Sequence, residues 1–111
     1  MGEMTYDQFE QVEMRVGRVV RVEDFPRARK PGYKLWIDFG ELGIRRSSAQ
    51  LTSLYTKEEL AGRLVVAVAS LPPRQVADFM SEVLVLGVPA SGGEVVLLAQ
   101  DRDAPLGGRV F

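Results

Sequence analysis

An all-β fold, a small barrel with one or two short helices, is predicted by three observations. The chain carries about five or six short runs rich in Val, Leu and Ile, separated by breaks that contain Gly and Pro. Two of these runs alternate with a period of two. A helix signature stands between the third run and the fourth.

The elements follow in order. In TYDQ (5–8), Thr5 is a candidate N-cap and Gln8 stands three residues on, a capping-box pattern for a short N-terminal helix with Phe9 and Val12 on one face. MRVGRVVRV (14–22) reads as a strand, with Met14, Val16, Arg18, Val20 and Val22 on one face. Gly17 inside it predicts a bulge or a sharp coil. FPRARKPGY (25–33) is a loop. YKLWIDFG (33–40) is the second strand: Tyr33, Leu35, Ile37 and Phe39 share the core face, and Trp36 lies opposite. GELG (40–43) turns the chain into IRRSSA (44–49), which completes a hairpin. TKEELAG (56–62) is a second capping box, with Thr56 as cap, Glu59 reaching back and Gly62 ending the helix. LVVAVAS (64–70) is a buried strand, LPPRQVADFM (71–80) an irregular connector, EVLVLGV (82–88) a strand, SGG (91–93) a turn and EVVLLAQ (94–100) its partner. The order β-β-β-α-β-β is that of an OB-fold, a five-stranded Greek-key barrel with a helix plugging one end. An SH3-like barrel fits nearly as well if the helix is set aside. Residues 1–13 and 101–111 fall outside the barrel count as terminal extensions of one domain.

Composition narrows the function. The chain has 111 residues, 46% apolar, enough for one domain with a real core. It has no Cys and no His, which removes disulfides, thiol and Ser-His-Asp catalysis and the commonest transition-metal ligand. MGEMTYDQ has no basic-then-apolar segment, so no signal peptide is expected. LVVAVA (64–69) is too short to span a bilayer, so a soluble cytoplasmic protein without membrane insertion is expected. Paired carboxylates occur at Glu58-Glu59, inside the capping box, at Glu23-Asp24, and at Asp101 and Asp103, in a loop without other ligands. Neither SGG nor LGG has the setting of a phosphate-binding glycine loop. A non-enzyme without cofactor or metal is expected.

Net charge is −1, but residues 15–34 hold seven basic side chains against two acidic ones. That asymmetry is either a nucleic-acid footprint or a solvated strand face. In IRRSSAQ (44–50) a strand sets Arg46, Ser48 and Gln50 on one face, with Arg45 and Ser47 on the other. Guanidinium forks phosphate, and hydroxyls and amides bond sugar or base edges, so the first face is a candidate RNA surface. The alternatives are a hydrated edge strand or a dimer contact. Arg27, Arg29, Lys30 and Lys34 can reach a phosphate backbone from the 25–34 segment, and Arg74 is aimed by the two prolines before it. Trp36 either stacks a base or enters a dimer interface. Phe79 and Met80 are either ordinary core or exposed apolar contacts for polypeptides. Val110 and Phe111 form a small apolar pair that two-fold pairing would bury.

Several stretches together resemble one family, the tRNA-binding OB-fold modules that stand alone or are fused to methionyl- and phenylalanyl-tRNA synthetases. They are Val16-Gly17-Arg18-Val19-Val20, Pro26-Arg27-Ala28-Arg29-Lys30, Ser48-Ala49, Glu58-Glu59-Leu60-Ala61-Gly62-Arg63, and Pro73-Arg74 with Ser81. They span about residues 9–100 in the family's order. The resemblance implies tRNA or structured RNA as partner and adds Ser81 to the candidate RNA-binding residues. ARKPGYKLWIDFG, RSSAQ, PPRQVADFMSEVLVLG and GGRVF look most like the family's branch of small bacterial homodimers described as export-related chaperones. That branch implies unfolded precursor proteins and the preprotein translocase ATPase as further partners. The sequence departs from the family where Asp78 stands at a usual Gly and where Gln75, Val76 and Ala77 follow Pro73-Arg74.

Overall fold

A computed structural model describes residues 2–111. The first helix, α1 (Tyr6–Glu10), starts at Thr5, whose hydroxyl accepts from the Gln8 backbone while the Gln8 side chain accepts from the Thr5 backbone. Strand β1 (Met14–Asp24) then serves two neighbours. Its first half, Met14–Arg18, pairs with β4 (Leu64–Val68), and its second half, Arg18–Asp24, pairs with β2 (Tyr33–Asp38). To curve between them the strand bulges, and it does so between Val19 and Arg21 rather than at Gly17. Val20 is the extra residue and points outward, 47% exposed, so it leaves the face expected to hold it with Val16 and Val22. Val19 and Val22 lie opposite Ile37 and Leu35. Gly17 has a different reason. A Cβ there would sit 2.6 Å from Ile37 Cγ2 and 2.8 Å from Phe39 Cε1, so only glycine lets those two side chains cross the strand.

Strand β2 alternates as expected: Tyr33, Leu35 and Ile37 are buried, while Lys34, Trp36 and Asp38 are half-buried on the outer face. A single 3-10 turn (Gly40–Leu42) leads into β3 (Ile44–Ala49), antiparallel to β2 with Trp36 opposite Arg46 and Lys34 opposite Ser48. Helix α2 (Lys57–Leu60) carries the second capping box, Thr56 with Glu59. It drives Leu60 into the barrel end, fully buried, and is tied to β1 by Gly62 N–H to Val19 O at 2.8 Å and Val19 N–H to Arg63 O at 2.9 Å.

Beyond β4 the strands are shorter than expected. Residues 71–80 are not an irregular connector: β5 (Arg74–Val76) and β6 (Phe79–Ser81) form a hairpin closed by Ala77 and Asp78. Ala77 takes φ 52°, a left-handed conformation that costs a non-glycine residue about 1 kcal/mol and that no Gly or Asn announces. Residues 82–88 are not one strand. β7 (Leu84–Val85) stays with β4, and β8 (Gly87–Pro89) pairs with β9 (Val95–Leu97) as a separate hairpin. The division falls at Leu86, whose N–H bonds Val66 O at 2.9 Å and whose carbonyl accepts from Leu98 at 3.1 Å.

The barrel sheet runs β3-β2-β1-β4-β7. It is nearly closed where Glu82 N–H (2.7 Å) and Val83 N–H (3.3 Å) both reach Arg46 O. The result is the OB-type barrel. Val19, Leu35, Ile37, Phe39, Leu60 and Val65 are its fully buried centre. Burial of each contributes roughly 2 kcal/mol of hydrophobic stabilisation. The C-terminal extension packs on its own chain. Gly107 N–H bonds Val16 O at 2.8 Å, Val16 N–H bonds Gly108 O at 3.0 Å and Val110 N–H bonds Met14 O at 2.8 Å. Arg109 reaches back to the Glu10 carbonyl, so the tail joins the N-terminal helix to the start of β1.

Candidate nucleic-acid interface

One open groove of about 930 Å³ lies beside the barrel. Arg27, Ala28, Arg29, Lys30 and Gly32 form one lip, and Arg74, Gln75, Val76 and Ala77 form the other. Ser48 and Gln50, at the end of β3, stand between them. The floor is apolar, with Phe25, Leu51, Val85 and Leu97. Six of the nine residues expected to bind RNA thus meet here: Arg27, Arg29, Lys30, Ser48, Gln50 and Arg74. No carboxylate lines the groove among the described residues.

Lys34, Arg46 and Ser81 lie on the neighbouring outer face of β2, β3 and β6, where they hold the β5–β6 hairpin in place. Phe79 is the centre of that face. Its ring meets Phe25 edge-on at 5.6 Å and Trp36 edge-on at 5.7 Å. The Arg46 guanidinium lies 5.3 Å over Phe79, and the Lys34 ammonium lies 5.0 Å over Phe25 and 5.5 Å over Phe79. Cations over ring faces are attracted by the ring quadrupole. The second side of Trp36 is covered by Arg21, 4.6 Å from its centroid. Arg46 also pairs with Glu82, which accepts from the Arg46 backbone at 2.9 Å. Ser81 Oγ accepts from Ser48 N–H at 3.0 Å. The expected division of IRRSSAQ is met only in part. Arg46 and Ser48 are half-buried outside, and Ser47 is buried inside, donating to Ser48 O at 3.1 Å. But Ser48 and Gln50 line the groove without Arg46, and Arg45 is half-buried.

The aromatic and apolar candidates separate. Phe79, weighed above as core or as an apolar contact, is core at 5% exposed and presents no surface; Met80, next to it, is 39% exposed. Trp36 is half-buried. Val110 is half-buried beside β1, and the Phe111 ring is fully exposed.

Two participants are not among the expected site residues, although Asp78 stands out in the sequence as a replacement of a usual Gly. Asp78, in the hairpin turn, forms an ion pair with Arg27 at 2.9 Å across the lips of the groove. The Arg27 hydrogen bond and charge hold the Asp78 carboxyl below its ordinary value, against a smaller opposing effect of desolvation. Glu82 braces Arg46. Both pairings join residues more than thirty positions apart, which no local spacing reveals.

Comparisons with known proteins bear on the chain as a whole. A family model described as a putative tRNA binding domain matches residues 14–109. Methionine–tRNA ligase from Rhodopirellula baltica is 40% identical over 97% of this chain. The enzyme of the same name from Bdellovibrio bacteriovorus is 34% identical over 98% of it. The chain spans only 16% of the length of either ligase. Among solved structures, chaperone CsaA from Bacillus anthracis superposes with a TM-score of 0.91 at 45% identity, covering 99% of this chain and 100% of that one. The CsaA chaperone protein from Picrophilus torridus gives 0.91 at 44% identity, covering 98% and 100%. No helix among the described residues is long and apolar enough to cross a membrane. A module-sized match over nearly the whole barrel and a near-complete superposition on chains of the same size lead to one statement: this chain belongs to the tRNA-binding-domain family, with CsaA chaperones among its structural neighbours.

Proposed function

We propose that this protein binds tRNA or structured RNA through the groove between the 25–32 loop and the β5–β6 hairpin, and that it performs no chemistry. One observation carries the reading: Arg29, Lys30 and Arg74 line one groove together with Ser48 and Gln50, none of these three cations has an acidic partner among the described residues, and the one carboxylate at the mouth, Asp78, is taken up by Arg27. Guanidinium and ammonium groups on two facing lips suit a backbone of regularly spaced phosphates, and the hydroxyl and amide suit sugar or base edges. Phe25 and Phe79 are buried, so base stacking on them is not part of the reading. Lys34, Arg46 and Ser81 act by holding the hairpin that carries Arg74. The test is the double variant Arg29→Ala/Arg74→Ala, whose tRNA affinity should fall at least tenfold at moderate salt while its fold is kept. Unchanged affinity would place the RNA elsewhere.

A second reading has a specific observation behind it. The groove floor is apolar, Leu84 at its wall is 51% exposed, and Met80, outside the groove on β6, is 39% exposed. An extended unfolded polypeptide could lay apolar side chains there, in keeping with the chaperones of similar fold. In this reading the protein serves in the cytoplasm as an export-related chaperone for precursor proteins and works with the preprotein translocase ATPase. Apolar binding holds or strengthens with kosmotropic salt, whereas phosphate binding weakens, so one salt series separates the two. We further propose a homodimer whose interface includes the two extensions, because Tyr6 at 87% and Phe111 at full exposure present large rings that a second copy would cover. Light scattering of the full chain and of Phe111→Ser tests this.

A further inference from the structure

We propose that Asp78 is an internal competitor for the groove: its carboxylate holds Arg27 across the mouth, and an entering phosphate takes Arg27 from it. The proposal rests on the groove as the RNA site. Arg27 belongs to one lip and Asp78 to the turn that ends the other, so their 2.9 Å ion pair is an exposed strap across the mouth, above the buried Phe25–Phe79 contact that joins the same two segments at their base. Of the four groove cations Arg27, Arg29, Lys30 and Arg74, Arg27 is the one with an acidic partner among the described residues. The turn holds Asp78 in reach through Ala77, whose left-handed φ of 52° re-aims the chain between two three-residue strands.

The strap is built to exchange. Arg27 is 72% and Asp78 47% exposed, so water and salt screen the pair and it gives way to a better anion. A phosphate can take both arms of the guanidinium fork, whereas Asp78 takes Nη1 alone. While the strap is closed Arg27 is neutralised and the loop is tied to the hairpin. A lone anion meets a groove with one cation fewer, whereas a polyanion that reaches Arg29, Lys30 and Arg74 together can displace the carboxylate. Asp78 thereby selects for extended polyphosphate chains over small anions. Lys34 adds a weaker attraction on Asp78 from the adjoining face.

The experiment compares wild type, Asp78→Asn, Arg27→Ala and the double variant. Bulk tRNA is titrated at several salt concentrations, and hydrogen exchange of residues 26–32 is followed in the free proteins. Asp78→Asn should tighten tRNA binding about two- to five-fold. It should also steepen the log–log salt slope by up to about 0.9, because the phosphate bound by Arg27 then sheds its counterion with no freed Asp78 carboxylate to take one up. The gain should vanish in the Arg27→Ala background, and loop exchange should quicken in both single variants. An equal gain with Arg27→Ala present would reduce Asp78 to a diffuse charge and overturn the strap, as would unchanged loop exchange. If wild type fails to bind tRNA while the exchange result holds, the groove's function is refuted and the strap is not.

Discussion

The guanidinium of Arg46 lies 5.3 Å over the ring of Phe79, while its backbone carbonyl accepts from both Glu82 and Val83. One residue of β3 therefore closes the barrel with its main chain and pins the β5–β6 hairpin with its side chain. The hairpin in turn sets where Arg74 stands on the groove. Arg46 thus acts on the candidate site at one remove.

Phe79 should be the residue on which the hairpin depends. Phe79→Ala removes a buried ring between Phe25 and Trp36 and should cost about 3–5 kcal/mol. Urea unfolding followed by Trp36 fluorescence measures it. The same variant should weaken tRNA binding through loss of order in 74–81, visible as faster amide exchange there. A loss within about 1 kcal/mol would mean that the hairpin is held by Ser81 and Glu82 alone.

Gly17→Ala should destabilise the barrel without touching the groove. The new methyl would meet Ile37 Cγ2 at 2.6 Å and Phe39 Cε1 at 2.8 Å, and both side chains are fully packed. Overpacking of this kind costs about 1–3 kcal/mol. Thermal unfolding should show a lower Tm, with tRNA affinity at low temperature unchanged.

Stability should fall on both sides of neutrality. Glu13 is held below its ordinary 4.5 by the hydrogen bond and charge of Arg15, and Glu59 below the same value by the backbone and hydroxyl of Thr56. Asp78 is held below 3.8 by Arg27. A carboxylate lowered on folding adds stability that is in place above the unfolded pKa and disappears as pH falls through the folded one. Lys57 is raised above 10.5 by its hydrogen bond to Asp24, so its contribution is present below that value and is lost as pH climbs through the folded pKa. The expected Tm profile is flat between about pH 6 and pH 9 and declines outside that window. Glu59 and Asp78 are exposed and Glu13 and Lys57 half-exposed, so added salt should flatten both declines.

Each groove cation should count separately in RNA binding. Arg29→Ala and Arg74→Ala should each lower the salt slope by about 0.7–0.9 and weaken tRNA binding uniformly across sequences. Arg46→Ala should behave differently, with a loss of stability and a smaller change in slope, because its guanidinium is engaged by Phe79 and Glu82.

Much of this was legible in the residues. Both capping boxes, the alternation of Tyr33, Leu35 and Ile37, and the outward setting of Arg46 and Ser48 are local patterns, and local hydrogen bonding and the strand period of two produce them directly. The bulge escaped because its residue is Val20, a strong strand former, while the nearby Gly17 offered a better-known signal for a different task. The β5–β6 hairpin escaped because its strands are three residues long and its turn uses Ala77 in a glycine-like conformation. The tail's pairing with β1, and the pairings of Arg27 with Asp78 and of Arg46 with Glu82, join distant parts of the chain through tertiary packing, which leaves no periodicity to read.

The most direct measurement is a titration of labelled bulk tRNA with the wild-type protein and with Arg29→Ala/Arg74→Ala at several salt concentrations. Saturable binding by wild type should weaken with a log–log salt slope of several, about 0.7–0.9 for each phosphate contacted, and the double variant should lose about two contacts from it. Absence of binding at low salt, or the same slope in both proteins, would contradict the groove as the RNA site.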